Sequence, residues 1–378
     1  MPRISLHQLR QAYTISPLLS RLLPACRDLT SAKNELRWLQ EHAVAASQDA
    51  SVPGRRRRRH HLATMCERRR RGVPLQYILG TQPFGDLDIQ CAPGVLIPRP
   101  ETEAYTAHLA HLLKKKDFLG SRDSLPTKDP QPLRIIDFCT GTGCIPLLLY
   151  SLLAHRFPNL TIHGIDITPT ALRLSNRNLS SALSSAQIPP PSPTQSISFH
   201  HGDVLSKDWI DAHLSGNKYD VLISNPPYVS SEAWNLAREG LSYSARKYEP
   251  KLALVPGDDV RLPPGNCCRH EDVFYAALLD IAVLLDPGAV VFEFGGGEQG
   301  KRVLRMAMAH PFGRNADFEL WRDYPDLGPL HLDEVVVDEI GASLRVTDDS
   351  GIERVVPVRG CGNIRSILIR KRQDVMIV

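Results

Sequence analysis

The sequence predicts an α/β fold with a doubly wound, mostly parallel sheet of seven strands, preceded by a small α-helical domain. Short apolar segments alternate with helical patterns from residue 133 onward, as in βαβ proteins. A glycine-rich turn directly follows the first of these segments, which is typical of a strand-to-helix turn that binds a ligand. Leucines at helical spacing precede the sheet region, and 378 residues suffice for two or three domains.

The first part of the chain, residues 1–72, is predicted to form a separate helical domain. Its leucines recur at near-helical spacing around Trp38. The segment from Ser47 to Arg59 combines Ser, Pro, Gly and a basic run, so we expect a surface loop there. The run from Arg55 to Arg59 is interpreted as exposed to solvent. The alternative is a positively charged surface that binds a partner carrying RNA.

Residues 73–103 are predicted to form a β-hairpin connector, because short β-like pieces there are punctuated by Pro and Gly. Residues 104–378 then supply the sheet. Its strands are predicted at Arg134 to Cys139, Thr161 to Ile167, Ser196 to Val204, Asp220 to Ser224, Ala289 to Phe294, Phe318 to Trp321 and Ser366 to Arg370. Inserted surface loops are predicted at residues 119–132, 180–196, 258–272 and about 324–364.

Composition and charge exclude several classes of protein. With 42% hydrophobic and 23% charged residues, the chain is neither disordered nor a coiled coil. Its longest apolar stretch, Cys144 to Ala154, is far shorter than the roughly 20 residues that span a bilayer. The formal net charge of +4 depends on two arginine runs, Arg55 to Arg59 and Arg68 to Arg71, which disfavours a generally nucleic-acid-binding surface. Eight cysteines without a C-x-x-C pair indicate a reducing compartment and no zinc ribbon.

The first 27 residues contain four arginines and no acidic residue, a composition seen in mitochondrial presequences. An ordinary helix start is the alternative interpretation. We expect an organelle-targeting segment in about the first 25 residues.

The first motif is Asp-Phe-Cys-Thr-Gly-Thr-Gly, from Asp137 to Gly143, between a buried-looking strand and a helix. Glycines there let the backbone approach a ligand while the amides of the helix N-terminus point at it. A dinucleotide fingerprint would need glycine where this chain has Pro146, so a pyrophosphate cradle is disfavoured. The motif predicts a nucleotide-type ligand, with an ordinary tight turn as the alternative.

Two carboxylates follow at the ends of the next strands. Asp166 is placed to accept hydrogen bonds from both hydroxyls of a ribose, and Asp203 to meet an adenine edge. Because ligands of open α/β sheets bind at the carboxyl ends of strands, these residues and the glycine turn should form one site.

The most specific motif is Asn-Pro-Pro-Tyr, from Asn225 to Tyr228, after an apolar strand. Prolines donate no backbone hydrogen bond, so their carbonyls and the Asn225 side-chain oxygen form a corner rich in acceptors. Such a corner suits a planar NH₂ group and would orient its nitrogen toward an electrophile, while Tyr228 covers the group from one face.

Five segments together resemble the HemK/PrmC family of release factor glutamine N5-methyltransferases. They are Gly72 to Gly80, Gly94 to Glu103 with its Ile-Pro-Arg-Pro-Glu-Thr-Glu element, Asp137 to Gly143, Asn225 to Tyr228, and Tyr248-Glu-Pro250. The resemblance implies a Rossmann-like class I methyltransferase fold and S-adenosyl-L-methionine as cofactor. It also implies methyl transfer to the glutamine side chain in the Gly-Gly-Gln motif of a class 1 peptide-chain release factor.

Site residues follow from the resemblance by position. The methionine part of the cofactor would be held by Cys139, Thr140, Gly141, Thr142 and Gly143. Its ribose would be held by Asp166 and its adenine by Asp203 and Val204, with Asn225 close to the cofactor as well. The glutamine amide would be received by Asn225, Pro226, Pro227 and Tyr228.

The family also implies a mechanism and a setting. We expect direct in-line methyl transfer with no general base, with Glu101, Glu103 and Glu249 ordering the loops around the pocket. The helical domain would dock the release factor, and we expect a mitochondrial monomer that needs no membrane and no nucleic acid. The histidine pair His108 and His111 has no third ligand, so no metal site is predicted.

Two other functions are compatible with parts of the sequence. An enzyme that methylates amino groups of nucleic acids, of the adenine N6 type, could use the same Asn-Pro-Pro-Tyr geometry and should then have a basic, aromatic cleft beside it. A non-catalytic cofactor-binding protein would use the arginine runs to bind RNA, but it would have no need of an intact Asn225.

Overall fold

The computed structural model describes residues 4–48, 55–115, 118–119, 132–236, 241–258, 260, 268–328, 343–347 and 353–372. Its helices are α1 (Leu6–Ile15), α2 (Pro17–Cys26), α3 (Leu29–Gln48), α4 (Arg55–Arg70), α5 (Leu75–Leu79), α6 (Pro100–Leu113), α7 (Cys144–Leu153), α8 (Pro169–Ser184), α9 (Lys207–His213), α10 (Ser231–Leu236), α11 (Tyr243–Tyr248), α12 (Val273–Leu285) and α13 (Gly297–Ala309). Its strands are β1 (Thr81–Phe84), β2 (Leu87–Gln90), β3 (Leu133–Phe138), β4 (Leu160–Asp166), β5 (Ser196–His201), β6 (Val221–Ser224), β7 (Ala289–Glu293), β8 (Ala316–Tyr324), β9 (Ser343–Thr347), β10 (Glu353–Arg359) and β11 (Cys361–Lys371). Within the described residues, no helix has both the length and the apolar character needed to cross a bilayer.

Helices α1 to α5 pack around an apolar core of their own, in which leucines of α2 and α3 are buried. One ion pair fixes α3 against α4: the Arg69 guanidinium donates to both carboxylate oxygens of Glu35, at 2.7 and 2.9 Å. Arg69 also donates to the carbonyl of Val73, at 3.2 Å. The pair therefore ties two helices to the segment that leaves the helical domain.

The loop predicted across Arg55 to Arg59 is wrong, because these residues form the first turns of α4. Arginine is a good helix former, and the residues that disfavour helix, Pro53 and Gly54, precede the run. The predicted loop was therefore extended too far, into the basic run that begins α4.

The predicted connector hairpin is present, with β1 and β2 paired antiparallel around Gly85 and Asp86. Gly85 has a φ of 59°, and a Cβ there would lie 2.6 Å from Leu148. Asn178 of α8 links the hairpin to the sheet domain: its side chain accepts from the Gln90 amide at 2.8 Å and donates to the Thr142 carbonyl at 2.9 Å. The hairpin is thus fastened to the glycine turn.

All seven predicted strands are present in one sheet, and their order is β5-β4-β3-β6-β7-β11-β8. The strands β5, β4, β3, β6 and β7 are parallel neighbours, and β11 runs antiparallel to both β7 and β8. The direction of chain progression reverses between β3 and β6, which is where doubly wound sheets open a crevice for ligands. Apolar side chains cover both faces of the sheet.

The sheet has two more strands than predicted. Within the segment 324–364, which was predicted to be an inserted loop, β10 pairs parallel with β8 and β9 pairs antiparallel with β10. The sheet in the described part of the chain therefore has nine strands. Pro357 lies inside β10, and a proline in a strand pattern weakens a strand prediction.

The other predicted insertions differ in outcome. For 180–196, α8 continues through Ser184, so only the second half is a loop. Most of 119–132 and much of 258–272 lie outside the described residues. At the end of the latter, His270–Asp272 forms a 3-10 helix, and Asp272 is only 1% exposed, so this end belongs to the core instead of a surface loop.

Candidate active site

A cavity of about 530 Å³ lies at the carboxyl ends of β3, β4, β5 and β6. Its size is within the range of about 300–1,000 Å³ typical of small-molecule sites. Part of its wall comes from outside the sheet, namely residues 94–99 of the connector, Thr102 of α6 and the segment from Pro250 to Gly257. The cavity therefore lies between the connector and the strand ends.

The glycine turn forms one side of the cavity. The Thr140 amide donates to the Ile165 carbonyl at 3.0 Å, which holds the turn against the end of β4. Gly143 begins α7 with a φ of 78°, and a Cβ there would lie 2.7 Å from the Phe199 ring. Glycine is required at this position both for the backbone conformation and for space. The N-terminus of α7 thus adjoins the cavity.

Cys139 is an unusual member of this turn. Its φ of 61° lies in the left-handed region that residues with a Cβ rarely adopt. Burial raises the pKa of its thiol well above the ordinary value, with nearby carboxylates such as Asp166 adding to the effect. The side chain is therefore a neutral thiol at the cavity wall and no nucleophile.

Asp137, which begins the motif, does not line the cavity. It is fully buried, and desolvation raises the pKa of its carboxyl well above the ordinary value, with the charge of Asp166 adding to it.

Asp166 lies at the end of β4, as predicted, but most of the acceptor positions of its carboxylate are already occupied by donors of the protein. Its Oδ1 accepts from the amide and the hydroxyl of Thr168, both at 2.9 Å, and its Oδ2 accepts from the Gly141 amide at 2.9 Å. A carboxylate accepts about four hydrogen bonds, so one position on Oδ2 remains for a ligand. Both hydroxyls of a ribose could not bind here directly unless one of these bonds were exchanged.

Asp203 and Val204 line the far side of the cavity after β5. Asp203 Oδ1 accepts from the Leu205 amide at 2.9 Å, which fixes the orientation of its carboxylate. The preceding Gly202 donates its amide to the Asp166 carbonyl at 3.1 Å. The two carboxylate-bearing strand ends are therefore connected.

Asn225 and Pro227 line the cavity at the end of β6, next to the glycine turn that follows β3. The Asn225 side-chain nitrogen Nδ2 donates to the Thr102 hydroxyl at 3.2 Å, and that hydroxyl donates to Glu293 Oε2 at 2.5 Å. Glu293 is 1% exposed, and burial raises the pKa of its carboxyl. A buried hydrogen-bonded chain thus reaches the cavity through Asn225.

Tyr228 follows the acceptor corner but does not line this cavity. Its hydroxyl donates to Glu293 Oε1 at 3.2 Å. Burial raises the pKa of this hydroxyl far above the ordinary value. Pro226 and Gly143 are likewise not among the residues that line this cavity.

The predicted site residues in the cavity wall are Cys139, Thr140, Gly141, Thr142, Asp166, Asp203, Val204, Asn225 and Pro227. Sequence reasoning missed Thr102 and Glu293 as members of the site. Thr102 lies within the Ile-Pro-Arg-Pro-Glu-Thr-Glu element, and Glu293 is a charged residue that ends an otherwise apolar strand. A carboxylate in that position was the signal that could have identified it.

Glu249 has the loop-ordering contacts expected of it. Its carboxylate accepts from the Arg99 guanidinium at 2.8 Å and from the Ile97 amide at 3.1 Å. This ion pair joins the connector to the segment after α11. Glu101 and Glu103 lie in the first turn of α6, where negative charge is favoured by the helix dipole.

The histidine pair has no metal-binding arrangement. His108 Nδ1 is 2.5 Å from Asp326 Oδ1, and its ring packs edge-on against Trp321. Over the described ranges, no three His, Cys, Asp or Glu residues are grouped closely enough to hold an ion.

Comparisons with known proteins agree with this geometry. The family model of the methyltransferase small domain matches residues 123–250. The mitochondrial MRF1 N(5)-glutamine methyltransferase MTQ1 of Saccharomyces cerevisiae is 36% identical over 258 residues, covering 68% of this chain and 68% of the relative. The probable MRF1 mitochondrial N(5)-glutamine methyltransferase mtq1 of Schizosaccharomyces pombe is 35% identical over 346 residues, 89% of this chain and 96% of the relative. A release factor glutamine methyltransferase of Chlorobaculum tepidum is 35% identical over 262 residues, 69% of this chain and 74% of the relative.

Proposed function

The chain belongs to the family of release factor glutamine methyltransferases, and we propose that it methylates the side-chain nitrogen of the glutamine in the Gly-Gly-Gln motif of a class 1 release factor. One observation carries this proposal. The glycine turn, Asp166 and the acceptor corner at Asn225 line one cavity, at the carboxyl ends of the neighbouring strands β3, β4 and β6. A methyl donor and a planar amide can therefore meet there.

The cavity fits S-adenosyl-L-methionine by its size and by the polar groups of its wall. The turn from Cys139 to Gly143 would hold the methionine part, Asp166 the ribose through its remaining Oδ2 position, and Asp203 with Val204 the adenine. The cofactor supplies an electrophilic methyl group at its sulfonium.

The residues of the chain act on the amide. Asn225 Nδ2 is engaged by Thr102, which leaves Oδ1 to accept one N–H of the glutamine side chain. The Pro226 carbonyl would accept the other. Two fixed acceptors orient the nitrogen lone pair toward the methyl donor, and such positioning supplies most of the acceleration.

The protein substrate and the cellular location are inferred from the family. We infer that the release factor is recognised as a folded protein, with the helical domain of α1 to α5 as its docking surface. The two fungal relatives are mitochondrial by name, and this supports a mitochondrial location for the chain.

Intact-mass measurement tests the proposal. Purified release factor is incubated with the full chain and cofactor, and we expect it to gain one methyl group. A release factor with Gln→Ala in the Gly-Gly-Gln motif and duplex DNA serve as controls, since the first presents no amide and the second keeps its bases stacked. Methylation of either control at the same level would contradict the proposal and favour the nucleic-acid enzyme.

A second arm separates binding from chemistry. Asn225→Ala removes the side-chain acceptor but leaves the glycine turn in place. Methyl transfer should fall by roughly 10²–10³, as for the loss of one positioned transition-state contact, while the cofactor still binds.

A further inference from the structure

The buried carboxylate of Glu293 lies behind the acceptor corner and has two side-chain partners. The Thr102 hydroxyl is 2.5 Å from Oε2, and the Tyr228 hydroxyl is 3.2 Å from Oε1. Thr102 is 2% exposed and Glu293 is 1% exposed. Water therefore has little access to this cluster, and its polar groups depend on one another for hydrogen bonds.

The number of protons in the hydrogen-bonded series Asn225–Thr102–Glu293 fixes the direction of each hydrogen bond. When the Glu293 carboxylate is ionised it can only accept, and the single hydroxyl proton of Thr102 then points at Glu293. Toward Asn225, the same hydroxyl can then only accept. The NH₂ end of the Asn225 side chain must face Thr102, and its oxygen must face away from it.

From this geometry, and on the basis of the proposed function, we propose that Thr102 and Glu293 are positioning residues that set the orientation of the Asn225 amide. Without them, the amide could turn over and present its own NH₂ group to the NH₂ group of the glutamine. Two donors would then face each other, and the amide nitrogen would no longer be oriented. Neither residue touches the reacting atoms; both act through Asn225.

The surroundings of Glu293 determine when it is ionised. The groups that face it are Thr102 and Tyr105 of α6, Tyr228, Arg365 of β11, and, at a greater distance, Arg99 and Cys144. Tyr275 of α12 donates to its backbone carbonyl at 2.8 Å. Burial raises the pKa of the carboxyl against the hydrogen bond from Thr102 and the charge of Arg365, which lower it. A protonated Glu293 carboxyl could donate a hydrogen bond to the Thr102 hydroxyl. That hydroxyl could then donate to Asn225, so the direction of both hydrogen bonds would be reversed.

Thr102→Val tests the proposal, because it removes the hydroxyl with almost no change of shape. We expect kcat for release-factor methylation to fall roughly 10- to 100-fold, with the dissociation constant for S-adenosylmethionine changed by less than about threefold. Thr102→Ser restores the hydroxyl and should recover most of the activity. Thr106→Val is the matched control: Thr106 is also buried on α6 and donates to the Thr102 carbonyl at 2.6 Å, but it lies outside the chain to Asn225.

A double-mutant cycle distinguishes positioning from a general structural role. If Thr102 acts through Asn225, then Thr102→Val should have almost no further effect in an Asn225→Ala background. If Thr102→Val instead lowers kcat by the same factor in the wild-type and Asn225→Ala backgrounds, the two residues act independently and the proposal is overturned. A Thr102→Val enzyme as active as the wild type would also overturn it.

Glu293→Gln gives independent evidence if Thr102→Val does not fold. The wild-type kcat should fall toward acid pH as Glu293 takes up a proton, and the neutral glutamine should lower kcat and abolish this acid limb. An unchanged limb in Glu293→Gln would refute the role of its ionisation. A wild-type enzyme that methylates no release factor would instead refute the proposed function, so the two failures are distinguishable.

Discussion

Replacing Asp166 is expected to weaken cofactor binding and, separately, to loosen the glycine turn. The carboxylate joins the Gly141 amide to the amide and hydroxyl of Thr168, which begins α8. Asp166→Ala deletes these three bonds together with the free position on Oδ2. The variant should therefore be less stable without ligand and also bind ligand less tightly.

The magnitude follows from the single free position. One hydrogen bond to a charged group contributes about 1.5–3 kcal/mol, which corresponds to roughly 10- to 150-fold in the dissociation constant for S-adenosylmethionine. Two ribose bonds would give a larger loss, but Oδ1 is already occupied by Thr168. An observed loss far above 150-fold would mean that the Thr168 bonds are exchanged on binding.

Asp166→Asn sharpens the prediction, because it has nearly the same shape. If its oxygen stays with Thr168, its NH₂ group faces the Gly141 amide, which is also a donor, and a ribose hydroxyl there would have to accept a hydrogen bond instead of donating one. We therefore expect Asn to restore little of the affinity lost in Asp166→Ala. Asp211→Ala is the matched control, since Asp211 is an exposed carboxylate on α9 paired with Lys207.

Titration calorimetry measures the affinities, and thermal unfolding without cofactor measures the stabilities. An Asp166→Ala variant that binds within about threefold of the wild type would refute the assignment of the ribose position. Full rescue by Asn would show that the charge of the carboxylate and its second acceptor position play no part.

Three further predictions concern stability. Arg69→Ala leaves the Glu35 carboxylate without its partner and should cost about 3 kcal/mol in urea unfolding, with cofactor affinity unchanged; a cost near zero would contradict this. Gly164→Ala should cost about 1–3 kcal/mol, because its Cβ would lie 2.6 Å from the Phe199 ring, and a variant as stable as the wild type would refute the contact. Burial lowers the pKa of His163 from 6.5 to about 4, so the unfolded chain takes up the proton first as pH falls; the contribution of His163 to stability should be constant above pH 6.5 and drop between pH 6.5 and 4, and His163→Gln should remove this part of the pH dependence.

The predicted site residues that line the cavity share one property. The glycine turn, Asp166, Asp203 and Asn225 each directly follow an apolar strand, and parallel strands bring their carboxyl ends to one edge of the sheet. The position of these residues in the sheet therefore followed from the alternation of strands and helices alone.

The errors have equally local causes. The run from Arg55 to Arg59 was assigned to a loop together with the Ser, Pro and Gly residues before it, although arginine favours helix. The strand β10 was missed because the segment 324–364 was predicted as a whole to be an insertion, although buried Val356 there alternates with exposed Val355. In both cases a whole segment was given one assignment although its parts differ.

The support of the acceptor corner could not be predicted in this way, and the reason lies in the Asn-Pro-Pro-Tyr segment itself. Two prolines donate no backbone hydrogen bonds, so the segment cannot hold its own conformation through them. Its rigidity comes from residues distant in the chain. Thr102 accepts from the Asn225 side chain, and Glu293 accepts from the Tyr228 hydroxyl. Gln299 of α13 donates to the Tyr228 carbonyl at 3.1 Å and to the Asp272 carboxylate at 2.9 Å. The motif predicts the place where an amide would bind, and on our proposal its acceptors are oriented from helices α6 and α13 and strand β7.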